Sequence, residues 1–333
     1  MKQPVKIPPA TLEWLLGGED WVRHSTLRAV PGLAASAEEL EEARRVSVAS
    51  PLVKGLVAEL ASWPGTPLAS HKSPQQLFHR LSLAAELGLR REDRGAKAIA
   101  AKVMGSPSPE GPFTLGMNIG AAHGGSGQDT MAWALCDAPV TMRALARMGF
   151  SQDPAFKKAL DHLVDLRALV ERGWPCATSP NLGFRGPGRK SDPCPYATLA
   201  MLELLLELPD RREGPDARAA ADCLLDLWER SREEHPYIFY MGTDFRKLKA
   251  PMLWYDLVHV LDALSRLESI REDGRLAEML ELLQSKADAE LRFVPESVYQ
   301  AWKGCDFGQK KLPSTYLTAL CLGILARTGR VRV

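Results

Sequence analysis

The feature that most constrains the fold is a stop signal that recurs along the sequence at a regular interval. Apolar segments end in a Leu-Gly-like or Leu-Pro-like stop, and a short acidic turn follows. The stops fall at Gly88, Gly149, Leu208, Leu267 and Gly329, about 60 residues apart. Because each interval has room for two helices and a turn, the pattern predicts a series of helical hairpins.

The two helices of a hairpin differ in their hydrophobic pattern. The first is apolar on nearly every side, as in residues 196–208, 253–267 and 315–326, which is typical of a helix buried all round. The second is amphipathic, with apolar residues at i, i+3, i+4 and i+7 and an acidic residue near its start. This second pattern is carried by Phe156, Ala159, Leu160 and Leu163, by Leu276, Met279, Leu280 and Leu283, and by the acidic residues Asp93, Asp153, Asp216 and Asp273.

Buried helices that alternate with one-sided helices predict two layers. The predicted fold class is therefore all-α, an α/α toroid (a double-layered helical barrel) of about six hairpins. We expect one domain over 1–333, with a degenerate first unit over about 10–65 and clear repeats over 75–330. An open solenoid and an irregular helical domain are the alternatives.

Charge and hydropathy exclude several classes of protein. Lysine and arginine number 42 against 41 acidic residues, and a net charge of +1 argues against general nucleic-acid binding. No apolar run approaches the ~20 residues of a transmembrane helix. The first ten residues do not form a signal peptide, so a cytoplasmic protein is expected. Six cysteines are too few for a disulfide scaffold.

Long connections precede the buried helices. They cover 104–128, 171–195, 230–252 and 289–314, and they are rich in glycine, proline, serine and aromatic residues. Loops of this length are usually functional or disordered. In a toroid the inner helices run parallel, so these loops would gather on one rim. The helix N-termini there would favour an anion such as diphosphate.

The repeat resembles a known superfamily. Its two-layered pattern resembles the α/α toroids of terpenoid cyclases and protein prenyltransferase β subunits, and residues 136–174 resemble bacterial squalene-cyclase-like repeat proteins. The stretch 183–206, GFRGPGRKSDPCPYATLAMLELLL, resembles the prenyltransferase segment that leads through a basic pair to Asp-x-Cys and an inner helix. This resemblance implies binding of an isoprenoid or its diphosphate.

The resemblance also implies roles for individual residues. Arg189 and Lys190 would bind diphosphate, Asp192 and Cys194 would be zinc ligands, and Tyr196 would hydrogen-bond a phosphate. Where the family has its third zinc ligand, a histidine within Tyr-His-Thr, this sequence has a leucine, in residues 316–318.

A cyclase needs a proton donor. Gly127-Gln128-Asp129-Thr130-Met131-Ala132 retains one aspartate and the threonine of the Asp-x-Asp-Asp-Thr-Ala motif of class II terpene cyclases. Asp129 is thus the candidate catalytic acid. The alternative is that Asp129 caps the N-terminus of a helix.

Cysteines near the starts of inner helices form a second candidate site. Cys136 and Cys194 lie at predicted helix starts, Cys176 lies in the loop between them, and His123 lies in the loop before Cys136. In a toroid all four would share one rim, where three thiolates with His123 or Asp192 suit tetrahedral zinc, or, with less support, an iron–sulfur centre. Buried free cysteines are the alternative.

Aromatic residues begin several inner helices. They are Trp133, Tyr196, Trp254, Tyr255 and Tyr316. Their faces would line a hydrophobic cavity for an isoprenoid or another apolar small molecule, or stabilise a carbocation. The alternative is that they are core residues.

One histidine has acidic neighbours at helical spacing. Asp256, His259 and Asp262 follow one another at i, i+3 and i+6, where carboxylates would tune the imidazole. A surface ion pair is the alternative.

Two functions remain open from the sequence. The first is an isoprenoid- or isoprenoid-diphosphate-binding toroid acting as a cyclase-like or prenyltransferase-like enzyme. The second is a non-catalytic binding or protein-interaction toroid that has lost the acid cluster and the zinc histidine.

Overall fold

The structure is a computed structural model that describes residues 4–34, 36–184, 191–231, 233 and 239–333. Its elements in chain order are β1 (Val5–Lys6), α1 (Pro9–Leu16), α2 (Asp20–Ala29), α3 (Ala37–Ala49), α4 (Pro51–Leu60), α5 (Leu77–Glu86), α6 (Ala96–Met104), β2 (Leu115–Asn118), β3 (Asp129–Ala132), α7 (Ala138–Arg147), α8 (Pro154–Asp165), α9 (Pro195–Leu206), α10 (Pro215–Glu229), α11 (Leu257–Leu264), α12 (Gly274–Gln284), α13 (Thr315–Arg327) and β4 (Val331–Arg332). The chain is mostly helical, which confirms the all-α class.

Two compact units make up the chain. Unit 1 combines Met1–Lys54 with Met241–Val333, and unit 2 is Gly55–Tyr240. In unit 1, α13 packs on α1, α2 and α11, and α11 packs on α12. In unit 2, α7 packs between α5 and α9, and α10 packs on α9. The hairpin layers are therefore present within each unit, whereas a single domain over 1–333 stays a prediction.

The inner helices are buried as their composition predicts. Every residue of α9 and of α11 is buried. Helix α9 begins at Pro195, where the missing proline N–H is no loss because the first turn has no intrahelical acceptor. Helix α11 begins four residues later than the sequence predicts, because the Asp256 carboxylate accepts a hydrogen bond from His259 N (3.0 Å) and starts the helix there.

The outer helices also follow the sequence pattern. The predicted apolar positions of α8 and α12 are all buried. Asp153 and Asp273 cap these two helices, and each accepts a hydrogen bond of 2.8 Å from a backbone N–H of the first turn.

Helix ends fall where the stops predict them. Gly88, Gly149 and Gly329 have φ of 108°, 89° and 68°, which suits a residue without Cβ at the end of a helix. Leu208 and Leu267 lie in the turns after α9 and α11.

The repeat is also visible in hydrogen bonds. Thr198 Oγ1 accepts a hydrogen bond from Trp174 N (2.9 Å) in unit 2, and Thr318 Oγ1 accepts one from Phe293 N (3.0 Å) in unit 1. The two threonines lie about 120 residues apart, which is two repeat lengths. Each bond ties a long loop to an inner helix.

The inner helices of unit 2 share a buried ion network. Arg143, 3% exposed, lies 2.9 Å from a Glu203 carboxylate oxygen and 3.6 Å from one of Glu86. Arg147 pairs with Glu86 and, at 2.8 Å, with Glu207. The network joins α5, α7 and α9, so two arginines neutralise most of the charge of three carboxylates.

Short strands complete the fold. An antiparallel pair of β2 and β3 aligns Leu115 with Ala132 and Asn118 with Asp129, where the sequence predicts only a long loop and a helix start. The parallel pair of β1 and β4 joins the two ends of unit 1. None of the helices within the described residues combines the length and the hydropathy that a membrane crossing requires.

Candidate functional site

A buried carboxylate at the start of α11 is the most unusual polar group of unit 1. The Asp256 side chain is fully buried. Its Oδ1 caps the helix, whereas its Oδ2 has no hydrogen-bond partner among the described residues. A buried carboxylate oxygen without a donor is unfavourable by several kcal/mol. Such a group therefore requires an explanation, which is strain, an ordered water or ion, or a function.

Three further polar side chains lie around Asp256. Lys249, 7% exposed, places Nζ 6.0 Å from the centroid of the Tyr299 ring and 3.8 Å from Asp244. The Tyr299 hydroxyl is buried and, within the part of the chain that the structure describes, lacks a hydrogen-bond partner. His259 is 2% exposed. We call Lys249, Asp256, His259 and Tyr299 the α11 cluster.

Loop contacts hold the α11 cluster together. Leu248 N donates to a Glu296 carboxylate oxygen (2.7 Å), and Glu296 N donates to Leu248 O (2.8 Å). These bonds fix the loop that carries Lys249 against the loop that carries Tyr299. The ring of His259 is held in turn, because its Nδ1–H donates to Trp254 O (2.7 Å).

The electrostatics of the α11 cluster separate an acid from a base. Burial raises the pKa of Asp256 to about 6, against the opposing effect of Lys249 and His259. Burial, with the charges of Asp256 and Asp244, raises the pKa of Tyr299 well above its ordinary value. At neutral pH Asp256 is therefore ionised and able to accept a proton, whereas Tyr299 keeps its proton.

The three residues predicted to share one face of α11 do not act as one group in the structure. Asp256 lies beside His259, but Asp262 binds Arg327, with 2.6 Å between Oδ1 and Nη2. Lys249 and Tyr299 were not singled out from the sequence, since they lie in separate loops.

In unit 2 the structure brings three predicted cysteines together. The Cys136 thiol and burial raise the pKa of Cys194, and the Cys194 thiol and burial raise that of Cys176, so the three side chains are neighbours. Leu135 N donates to Ala177 O (3.0 Å), which aligns the segments of Cys136 and Cys176, and Cys194 N donates to Trp174 O (2.7 Å), which ties Cys194 to the second of these segments. All three cysteines are free.

The other predicted metal ligands do not complete a site. Asp192 is half-buried, and His123 is exposed in a short turn. Among the described residues, no group of three or more histidine, cysteine or carboxylate side chains is arranged to hold a metal ion. No chemical step is therefore assigned to zinc, and zinc binding stays a prediction.

Asp129 is not at a helix start, and this part of the interpretation was wrong. It is the first residue of β3, it is exposed, and its Oδ1 accepts a hydrogen bond from Asn118 Nδ2 (2.8 Å). The motif match favoured a helix, but strand pairing with β2 sets the backbone here. A catalytic role for Asp129 stays a prediction.

The predicted aromatic residues differ in position. Tyr196 and Tyr316 lie in the first turns of α9 and α13 as predicted, each 1% exposed. Trp133, 2% exposed, precedes α7 rather than beginning it, and Trp254 and Tyr255 precede the cap of α11. Burial of the first three favours the core interpretation, whereas half-buried Trp254 lies beside the α11 cluster. The predicted diphosphate ligands Arg189 and Lys190 lie outside the described residues.

The sequence also gave no signal for a histidine–aspartate pair in unit 2. His71 Nε2 lies 2.8 Å from Asp137 Oδ2, although 66 residues separate them. Burial raises the pKa of Asp137, and His71 opposes this effect. Asp137 immediately follows Cys136 and precedes the first residue of α7, so the pair lies near the three cysteines.

Comparisons with known proteins give a likeness in fold only. No protein-family profile and no curated protein match the chain. It resembles a protein from Actinoplanes (12% identity, TM-score 0.46, 93% of this chain and 88% of that one) and a GH76 α-mannanase from Bacteroides thetaiotaomicron (10%, 0.41, 96% and 98%). It also resembles Dfg5 from Chaetomium thermophilum in complex with glucosamine (13%, 0.42, 99% and 84%). Likeness at this level assigns no activity to the chain.

Proposed function

We propose that the chain is an enzyme that transfers protons at the α11 cluster. The observation that carries the proposal is the fully buried Asp256 carboxylate, whose Oδ2 has no hydrogen-bond donor among the described residues. A substrate hydroxyl would supply that donor. The Tyr299 hydroxyl, also buried and without a partner among the described residues, would donate to the substrate in turn.

Each residue then has a role. Asp256 is the general base, Tyr299 is the general acid, and Lys249 stabilises negative charge that develops on the substrate. His259 is held by the hydrogen bond from its Nδ1 to Trp254 O, and its fixed ring limits the movement of the Asp256 side chain. Tyr299 is half-buried as a residue, but its hydroxyl is buried, so a substrate would have to displace part of the loop that carries Tyr299. The substrate class that fits is a small molecule with hydroxyl groups.

The test is a pair of conservative substitutions. Asp256→Asn keeps an oxygen to cap α11 but removes the base, and Tyr299→Phe removes only the hydroxyl. With a panel of 4-nitrophenyl esters, phosphates and glycosides, we expect each change to lower kcat/KM by about 10²–10⁴-fold. In the wild type kcat/KM should rise with pH up to about 6, because Asp256 must be ionised to accept a proton.

Asp262→Asn is the matched control, because Asp262 lies on the same helix but binds Arg327. It should leave kcat/KM within about twofold of the wild type. A panel without any turnover, or equal turnover in the wild type and in Asp256→Asn, would contradict the proposal.

A second candidate is binding of an isoprenoid diphosphate, as the sequence predicts. Trp254 supports it, because this half-buried aromatic residue lies beside the α11 cluster. Farnesyl diphosphate should quench tryptophan fluorescence, less so in Trp254→Phe. Equal quenching by farnesol, which lacks the diphosphate, would show that the diphosphate is not recognised. No quenching by farnesyl diphosphate would contradict this second candidate as a whole.

A further inference from the structure

The lysine of the α11 cluster carries a charge that the described part of the fold leaves without a close partner. The Lys249 side chain is 9% exposed, and its Nζ forms no hydrogen bond with the described residues. An ammonium group offers three donors, and a buried charge without acceptors is strongly unfavourable. We propose that Lys249 binds a carboxylate of the substrate, so that the α11 cluster takes a small hydroxy acid. This inference rests on the proposed function, because it names the substrate class of the same site.

Asp244 is a weak counter-ion for this lysine. Its Oδ2 lies 3.8 Å from Lys249 Nζ, whereas a charge-assisted hydrogen bond to an ammonium group spans about 2.7–2.9 Å. The Asp244 side chain is 79% exposed and also pairs with Lys247 at 3.5 Å. An exposed ion pair contributes little, because water solvates both charges. A substrate carboxylate can therefore replace Asp244, whose exposure marks the side from which an anion reaches Lys249.

Backbone hydrogen bonds hold the loop of the lysine between the start of α11 and the loop of the tyrosine. Leu257 N, in the first turn of α11, donates to Phe245 O (2.9 Å). Leu248 O accepts hydrogen bonds from Glu296 N and Ser297 N (2.8 and 3.1 Å). The same geometry places the lysine Nζ 6.0 Å from the centroid of the tyrosine ring. The polar groups of the α11 cluster therefore lie in one region, where a single small molecule can bind them together.

The groups of the α11 cluster that lack partners define what the ligand must carry. Asp256 Oδ2 is buried without a donor among the described residues, so it requires a hydroxyl group from the ligand. The Tyr299 hydroxyl is also buried without a partner there, so it can donate to a second ligand oxygen. Lys249 requires an anion. A hydroxyl group and a carboxylate on one small molecule satisfy all three groups, whereas a neutral polyol leaves the ammonium without a counter-charge.

The charge of the surroundings favours a carboxylate over a phosphate. A carboxylate brings one negative charge, which the ammonium group of Lys249 offsets. A phosphate monoester brings about 1.5–2 negative charges at pH 7, and the carboxylates of Asp244 and Asp256 would repel the excess. Lys247 adds a further cation, but its side chain is 41% exposed and already pairs with Asp244.

The test is calorimetric titration of the purified protein with matched ligands. Glycerate and gluconate are hydroxy acids, glycerol and glucitol are their neutral counterparts, and hexanoate is a carboxylate without hydroxyl groups. We expect the hydroxy acids to bind about tenfold or more tightly than these comparisons, because each comparison loses a hydrogen bond to a charged group. Glucitol 6-phosphate should bind more weakly than gluconate. Tighter binding of the phosphate would contradict the assignment of a carboxylate.

Two substitutions should change the affinity for gluconate in opposite directions. Lys249→Met keeps the length of the side chain but removes the ammonium group, so binding should weaken by about tenfold or more. Asp244→Asn removes the counter-ion that the ligand replaces, so binding should strengthen by about two- to fivefold. Lys247→Met is the matched control, because this lysine lies in the same loop and pairs with the same aspartate but is 41% exposed. It should leave the affinity within about twofold of the wild type.

Circular dichroism should confirm that each variant folds, and Asp244→Asn tests the inference independently because its side chain is exposed. Equal affinity of the wild type and Lys249→Met for gluconate, or no binding of either hydroxy acid, would overturn the inference. Turnover of neutral 4-nitrophenyl glycosides without binding of a hydroxy acid would overturn it too, but would leave the proposed function intact. Binding that depends on Lys249 without any turnover would support the carboxylate site and contradict the proposed activity.

Discussion

Arg143→Ala is expected to lower the free energy of unfolding by about 3–5 kcal/mol. The substitution leaves the carboxylate of Glu203, 1% exposed, buried beside Glu86 with one fewer cation in the network. Desolvated charge of one sign is far less favourable in the folded state than in water, where the unfolded chain exposes it. Urea denaturation followed by circular dichroism measures the loss.

A control and a double substitution make this prediction specific. Arg45→Ala removes an arginine whose side chain is 61% exposed in its pair with Glu42, so stability should change by less than about 1 kcal/mol. Arg143→Leu with Glu203→Leu should recover much of the loss, because both buried charges are then removed together. Equal destabilisation by the single and double substitutions would show that packing, and not charge, accounts for the effect.

The second large effect has the opposite sign. Asp256→Asn is expected to raise the free energy of unfolding at pH 7.5 by about 2–3 kcal/mol, with little change at pH 4. The folded-state pKa of Asp256 is about 6, above the value of about 4 for an aspartate in the unfolded chain. Below pH 4 both states hold the proton. As pH rises towards 6 the unfolded state ionises first, so wild-type stability is lost over this window.

The neutral amide of the Asp256→Asn variant does not ionise, so the variant does not lose stability over this pH range, and the amide oxygen can still cap α11. The comparison is made by urea denaturation of both proteins at each pH, with Asp262→Asn as the control for a carboxylate that is already paired with Arg327. Gain of stability together with loss of turnover would mark Asp256 as a group retained for activity. A wild type and variant of equal stability across this pH range would contradict the raised pKa.

Local patterns explain which parts of the fold were predictable. The four apolar positions of α12 repeat within one helix, so the sequence alone places its buried face. The stops at Gly88 and Gly149 depend on a backbone conformation with positive φ, which glycine adopts readily, so the sequence predicts these helix ends as well as it predicts the buried face of α12. The strands β2 and β3 were missed because each has only four residues and begins or ends among glycines and small residues.

The contacts in the two candidate sites also differ in how far the sequence predicts them. The proximity of Cys136 to Cys194 follows from their nearly equal positions in successive repeats, which the sequence displays. Lys249 and Tyr299 meet because two loops exchange hydrogen bonds at Leu248, and no periodicity encodes such a contact. Repeat spacing thus predicts contacts between equivalent positions, whereas contacts between unlike loops require coordinates.

The pairing of β1 with β4 has a consequence for engineering. Val5 lies beside Val331 and Lys6 beside Arg332 in a parallel ladder, so residues 5–6 and residues 331–332 run side by side. The start of β1 and the end of β4 lie at opposite ends of this two-residue ladder, whose strands are about 5 Å apart, so a flexible tether of about four to six residues would bridge residue 4 and residue 333. A circularly permuted protein that is opened at an exposed loop tip should therefore fold. Its refolding would show whether unit 1 forms when its two segments are joined directly in the sequence.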